Sequence, residues 1–115
     1  MWFRRNEISL GHVHDRITVR EGDESIVLRV DEDARRMIRG LNEAQRRMNG
    51  VKGESTEEEQ REVAEFFAGV IFGAEQAAAL MELYNGDAAS VIEVCGRYFS
   101  ERLAGKIAKA QKRLK

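Results

Sequence analysis

The sequence predicts an α+β domain, mostly helical, in which an N-terminal β-hairpin packs on about four α-helices. Three observations carry this reading. Two runs rich in β-branched residues, ITVR and SIVLRV, flank the turn-forming EGDE early in the chain. From Ser55 onward apolar residues recur at helical spacing, punctuated at Gly73 and at Asn85-Gly86. The 115 residues hold no proline and ten glycines, which suits long helices closed by glycine-ended turns.

The totals describe one domain, residues 1–115, long enough to bury a core. An apolar content of 43% and a charged content of 34% fit a globular chain with a heavily charged surface rather than a disordered one. A net charge of −1 argues against a dedicated polyanion binder. The single cysteine cannot form an internal disulfide, so nothing points to an oxidising compartment. MWFRR leads into no apolar run of signal-peptide length, and no stretch approaches the roughly 20 apolar residues of a membrane span. The expected location is the cytoplasm.

Taken in order, residues 1–15 alternate Ile8, Leu10, His12 and His14 with Ser9, Gly11 and Val13. An edge strand and a flexible arm both fit, with Trp2 and Phe3 as an apolar end able to pack on a neighbour. Residues 16–30 form the hairpin. Ile17, Val19, Ile26, Leu28 and Val30 share one face, and Gly22 supplies the positive φ of the turn. An isolated hairpin is marginal in water, so that face belongs on the helices.

Residues 31–49 form the first helix, with Asp31 as N-cap and Glu32 and Asp33 in a first turn that favours negative charge. Ala34, Met37, Ile38, Leu41, Ala44 and Met48 make its apolar stripe, and Arg35, Arg39 and Arg46 its opposite face, with Arg36 and Arg47 beside them. Val51 to Glu54 is a loop. Residues 55–115 are the helical core, with four of the five phenylalanines and both tyrosines. Ser55 and Glu58 form a capping box, and Val63, Phe66, Phe67, Val70 and Ile71 face inward up to a stop at Gly73. A short helix turns Ala77, Leu80, Met81 and Tyr84 inward. Asn85-Gly86 ends it, and Asp87 caps the final helix, whose stripe is Ile92, Cys95, Phe99, Leu103, Ile107, Ala110 and Leu114.

No phosphate-binding loop, dinucleotide turn, zinc-protease motif or CxxC pair is present. His12 and His14 would share a strand face and, with Asp15 or Glu7, could reach one metal ion. The usual zinc spacings are missing, and two surface histidines explain the pattern as well. Cys95 lies on an apolar stripe with no histidine nearby in sequence, which marks a buried inert thiol. Clustered Glu57, Glu58, Glu59, Glu62 and Glu65 read as a solvated helix face. No enzyme activity and no cofactor are expected.

The charge layout is more informative. Residues 54–93 carry ten acidic side chains and one basic, Arg61, whereas residues 97–115 carry seven basic and one acidic, Glu101. A solvated surface is one reading. The other docks the basic tail (Arg97, Arg102, Lys106, Lys109, Lys112 and Arg113) on the acidic Glu58, Glu62 and Glu65 of a second copy, a head-to-tail contact. The same cations invite a nucleic-acid reading, opposed by the acidic block and by the lack of aromatics interleaved with them.

The stretch EFFAGVIFGAEQAAALMELYNGDAASVIEVCGRYFSERLAGKIAKAQKR resembles the C-terminal region of tail assembly chaperones from long-tailed phages and prophages of Gram-positive bacteria. The match lies in the order of parts: a Phe-rich helix ending in FG, a short helix, a Gly-Asp turn, then a long helix with aromatics. The hairpin followed by DEDARRMIRGLNEA is similar to that family's start, so the resemblance runs from Ile17 to Lys115. It implies a non-enzymatic protein that binds tape-measure and tail-tube proteins. The charge layout adds self-association, and neither nucleic acid nor a membrane is an expected partner. A small nucleic-acid-associated phage protein and a helical oligomerisation module are the alternatives. Phe66, Phe67, Phe72, Tyr84, Tyr98 and Phe99 are the candidate client contacts, and the alternative is that most of them are core. Phe72 and Tyr98, at the edges of their stripes, are expected to be the exposed ones.

Overall fold

The structure, a computed structural model, describes residues 11–51 and 55–112. The expectations for Trp2, Phe3, Glu7, Arg113 and Leu114, and most of the 51–54 loop, lie outside the described residues. Strands β1 (His12–Glu21) and β2 (Glu24–Asp33) pair antiparallel, with Glu21 opposite Glu24 across a two-residue turn. Gly22 takes φ +61° while Asp23 keeps a negative φ, the combination of a type II′ turn, whose twist matches the strands. The register sets Ile17 opposite Leu28, Val19 opposite Ile26 and Asp15 opposite Val30, so the apolar face predicted for the hairpin forms as expected. Leu28 and Val30 are buried by the helices beneath.

Helix α1 (Ala34–Gly50) starts three residues later than the sequence suggested. Pairing continues through Glu32 opposite Val13 and Asp33 opposite His12, which holds Asp31 in the strand. Asp33 becomes the N-cap, its Oδ1 accepting from the amides of Arg35 at 3.0 Å and Arg36 at 3.1 Å. The first amide of α1 donates to Gly11 O at 2.8 Å, tying the helix start to the beginning of β1.

Helix α2 (Glu57–Phe72) is the hub, in contact with α1, β2, α3 (Ala74–Leu83) and α4 (Ala88–Tyr98). Its capping box is shifted by one residue from the predicted pair. Thr56 Oγ1 accepts from Glu59 N at 3.1 Å, and Glu59 Oε1 accepts from Thr56 N at 3.2 Å. The inward face turns with it: Ala64, Phe67, Ala68, Ile71 and Phe72 are buried, while Val63, Phe66 and Val70 are half-buried. The two alanines let α2 sit close to its neighbours. At the α1 crossing Gly40 removes the side chain altogether, and a Cβ there would lie 2.7 Å from Val70 Cγ1.

Gly73, at φ +88° and ψ 161°, ends α2 and starts α3, in a region of backbone space essentially reserved for glycine. Asn85 (φ +54°) and Gly86 (φ +79°) end α3 with the paired bonds of a Schellman motif, Gly86 N to Met81 O at 2.8 Å and Asn85 N to Glu82 O at 3.0 Å. Helix α4 continues through a π turn (Phe99–Leu103) into α5 (Ala104–Lys112), with Ala104 N–H donating to Phe99 O. The extra residue rotates the second half of this rod. Val91, Cys95 and Tyr98 are buried before the turn, and Leu103, Ile107 and Ala110 after it. The predicted stripe through Ile92 and Phe99 is therefore displaced: Ile92 is half-buried and Phe99 is exposed.

The free edge of β2 is closed by a side chain of α3. Gln76 Oε1 accepts from Arg29 N at 2.8 Å and Gln76 Nε2 donates to Arg29 O at 2.6 Å, so the amide stands in for a neighbouring strand. Nε2 also donates to Phe72 O at 2.6 Å, which binds the sheet edge to the end of α2. Among the described residues, no helix is long and apolar enough to cross a membrane.

Candidate functional site

Phe72 and Tyr98, expected at the surface, are core residues, each only 5% exposed. The one-residue rotation of α2 turns Phe72 inward, and the π turn leaves Tyr98 on the inner side of α4. Their rings pack on one another at 5.7 Å. The Tyr98 hydroxyl donates to Asp15 Oδ2 at 2.8 Å, and Arg102 Nη2 donates to Asp15 Oδ1 at 2.7 Å, with Lys106 Nζ 3.9 Å away. Burial pushes the Asp15 carboxyl up. The hydrogen bonds from Tyr98 and the Arg16 amide, with the charges of Lys106 and Arg102, outweigh it and hold the carboxyl below its ordinary value. Burial, and then the bond to Asp15, pushes the Tyr98 hydroxyl well above its usual range.

This network changes the meaning of the basic tail. Arg102 and Lys106 neutralise Asp15 of their own chain, and Arg97 lies 3.7 Å from Glu101 on the same helix. Lys109 and Lys112 remain exposed. Glu58, Glu62 and Glu65 are exposed on α2, as expected. Tyr84 is half-buried, and burial followed by the charges of Glu21 and Glu93 raises its hydroxyl.

His12 and His14 do share a strand face, 5.4 Å apart and stacked, and both approach Asp31 Oδ1, at 3.6 and 3.3 Å. Asp15 points to the other face, so the predicted set with Asp15 does not assemble, and no three His, Cys, Asp or Glu side chains are placed to hold a metal ion among the described residues. Cys95 is wholly buried, and desolvation pushes its thiol up to about 12, far from the reactive range.

The first helix's cations divide. Arg46 and Arg47 both bond Glu43, whose carboxyl these hydrogen bonds lower to about 2. Arg47 also covers the ring of Phe66, with its guanidinium carbon 3.9 Å from the centroid. Phe66 is thus shielded, and Phe67 is buried.

What sequence reasoning missed is an open apolar groove of about 300 Å³ between α1 and the end of the molecule's last rod. Ile38 and Leu41 line it from α1, Phe99 from the π turn, and Ala104 and Ile107 from α5, with Asn42 and Gln111 at the rim. Phe99 is 37% exposed. The π turn creates this site, because a regular helix would carry Phe99 along the buried stripe. A five-residue step in the apolar pattern, from Tyr98 to Leu103, is its only trace in the sequence. Comparison with known proteins gives no match: no family model, no curated protein and no solved structure is similar to this chain.

Proposed function

We propose that this protein is a non-enzymatic assembly chaperone of phage or prophage tails, acting in the host cytoplasm on tape-measure and tail-tube proteins. The groove carries the proposal. Two helices and an exposed phenylalanine frame an apolar trough with a polar, uncharged rim, the form in which an amphipathic client helix is held by its apolar face. The resemblance supplies the client, since tape-measure proteins are long apolar helices that need covering before the tube forms around them. Self-association belongs to the same reading. The order of α2, Gly73, α3, the Asn85-Gly86 turn and α4 follows the order of parts on which the resemblance rests.

The test is co-expression with helical segments of a phage tape-measure protein. Phe99→Ala should weaken retention by about tenfold, the effect of losing one aromatic contact of about 1.4 kcal/mol, while the melting temperature stays nearly unchanged. Retention undiminished by Phe99→Ala and by Leu41→Asn would refute groove binding.

A further inference from the structure

The outer face of the hairpin carries three arginines whose guanidinium groups have no carboxylate partner among the described residues. His12, His14, Arg16, Thr18 and Arg20 of β1, with Ser25, Val27, Arg29 and Asp31 of β2, point away from the helices. The register sets Arg16 directly opposite Arg29, and Thr18 opposite Val27, which is 46% exposed. Like charges directly opposite one another weaken a strand pair. Among the described residues no carboxylate pairs with the guanidinium of Arg16, Arg20 or Arg29.

The patch is short and bounded. Arg16 to Arg20 spans about 13 Å at the rise of a strand. Beyond Arg20 lie exposed Glu21, Asp23 and Glu24, and beyond Arg16 lies Asp31. A nucleic-acid strand running along the face would meet carboxylates at both ends. A short acidic helix stripe would not.

Such a stripe exists on α2. Glu58, Glu62 and Glu65 follow i, i+4, i+7, are all exposed, and span about 10 Å at 1.5 Å per residue. No cation pairs with them among the described residues. Arg61, the one cation of α2, leans toward Gly86, where its Cδ would lie 3.7 Å from a Cβ. The next position of the stripe is Gly69, which adds no side chain there.

We propose that the outer hairpin face of one copy, through Arg16, Arg20 and Arg29 around Val27, binds the Glu58–Glu62–Glu65 stripe of α2 on a second copy. The two patches differ, so the contact is heterologous and propagates from copy to copy. Two cations of the basic tail, Arg102 and Lys106, are engaged by Asp15, whereas the guanidinium groups of the hairpin arginines have no carboxylate partner among the described residues. The inference rests on the self-association part of the proposed function and is independent of the client groove.

Sedimentation velocity of the full chain, over roughly a hundredfold range of concentration, reads it directly. The wild type should assemble at about 0.1 M salt and dissociate at about 1 M, where the screening length falls from about 10 Å to about 3 Å. The triple variants Arg16→Glu/Arg20→Glu/Arg29→Glu and Glu58→Arg/Glu62→Arg/Glu65→Arg should each lose association by about tenfold or more. An equimolar mixture should recover it, because each reversed face then meets its complement. Circular dichroism checks folding, and the single variants Arg20→Glu and Glu62→Arg repeat the test with less perturbation. A wild-type monomer at every concentration, a triple variant that assembles like the wild type, or a mixture that stays monomeric overturns the proposal. So does salt-sensitive retention of duplex DNA that the arginine triple variant abolishes. Client retention separates the two readings: variants that assemble like the wild type while the client is held sink only the contact between copies, and assembly lost as expected with no client held by the wild type sinks only the groove.

Discussion

Replacing Gly40 by alanine sets two effects of opposite sign against each other. Alanine is the best helix former, and the substitution inside α1 would by propensity alone stabilise the protein by about 1 kcal/mol. The new Cβ, however, would lie 2.7 Å from Val70 Cγ1, 3.1 Å from Cγ2 and 3.4 Å from Cβ. Carbon atoms rest at about 3.5–4.0 Å, so the shortest contact is too close by nearly 1 Å. Valine in a helix is held to one χ1 rotamer and cannot swing aside, so the helices must separate. Overpacking of this kind costs about 1–3 kcal/mol. The balance is a net loss near 1 kcal/mol, or about 4 °C in melting temperature for a chain of this size. Urea denaturation followed by circular dichroism measures it. Gly69→Ala, in α2 with open space around it, is the control and should stabilise. The double variant Gly40→Ala/Val70→Ala should be more stable than the sum of its parts implies. A Gly40→Ala protein as much stabilised as Gly69→Ala would refute the close approach of α1 and α2.

Phe72→Ala should destabilise by about 3–5 kcal/mol in the same assay, as removal of a buried aromatic does. Gly73→Ala, forced to keep φ near +88°, should cost about 1–3 kcal/mol. Asp15 has a depressed carboxyl, so its contribution to stability is present above the unfolded value of about 3.9 and lost as pH falls through the lower folded value. Asp15→Asn should therefore flatten the acid limb of stability against pH, measured by melting temperature between about pH 5 and pH 2. Cys95 should react with a thiol reagent only as fast as the protein unfolds, and labelling of the native protein at the rate of a free thiol would contradict its burial.

The hairpin and the helix order were legible because local chemistry set them: Gly22 for the turn, Gly73 and Asn85-Gly86 for the breaks, β-branched alternation for the strands. The errors arose where distant contacts decided. Asp31 and Asp33 are equally good caps in sequence, and pairing of Glu32 with Val13 selected the second. Ser55 and Thr56 each stand three residues before a glutamate, and the box forms at Thr56. Alanines 64 and 68 count little in an apolar pattern, yet they form the face on which α2 packs. Tyr98 is held inside by a carboxylate 83 residues away, a partner no periodicity can indicate. The groove was hidden for a related reason, because a stripe counted in steps of three and four passes over the five-residue step of the π turn.

The amide of Gln76 bears on how this protein avoids aggregation. A two-stranded sheet ordinarily offers two open edges, and repeated addition of strands to such edges is a route to amyloid-like stacks. Here the β2 edge at Arg29 is already satisfied on both its donor and its acceptor. A strand added on the β2 side would have to displace this amide from Arg29. Gln76 thus hinders strand addition at this point of the β2 edge, and Gln76→Ala should favour thioflavin-positive fibres on prolonged agitation.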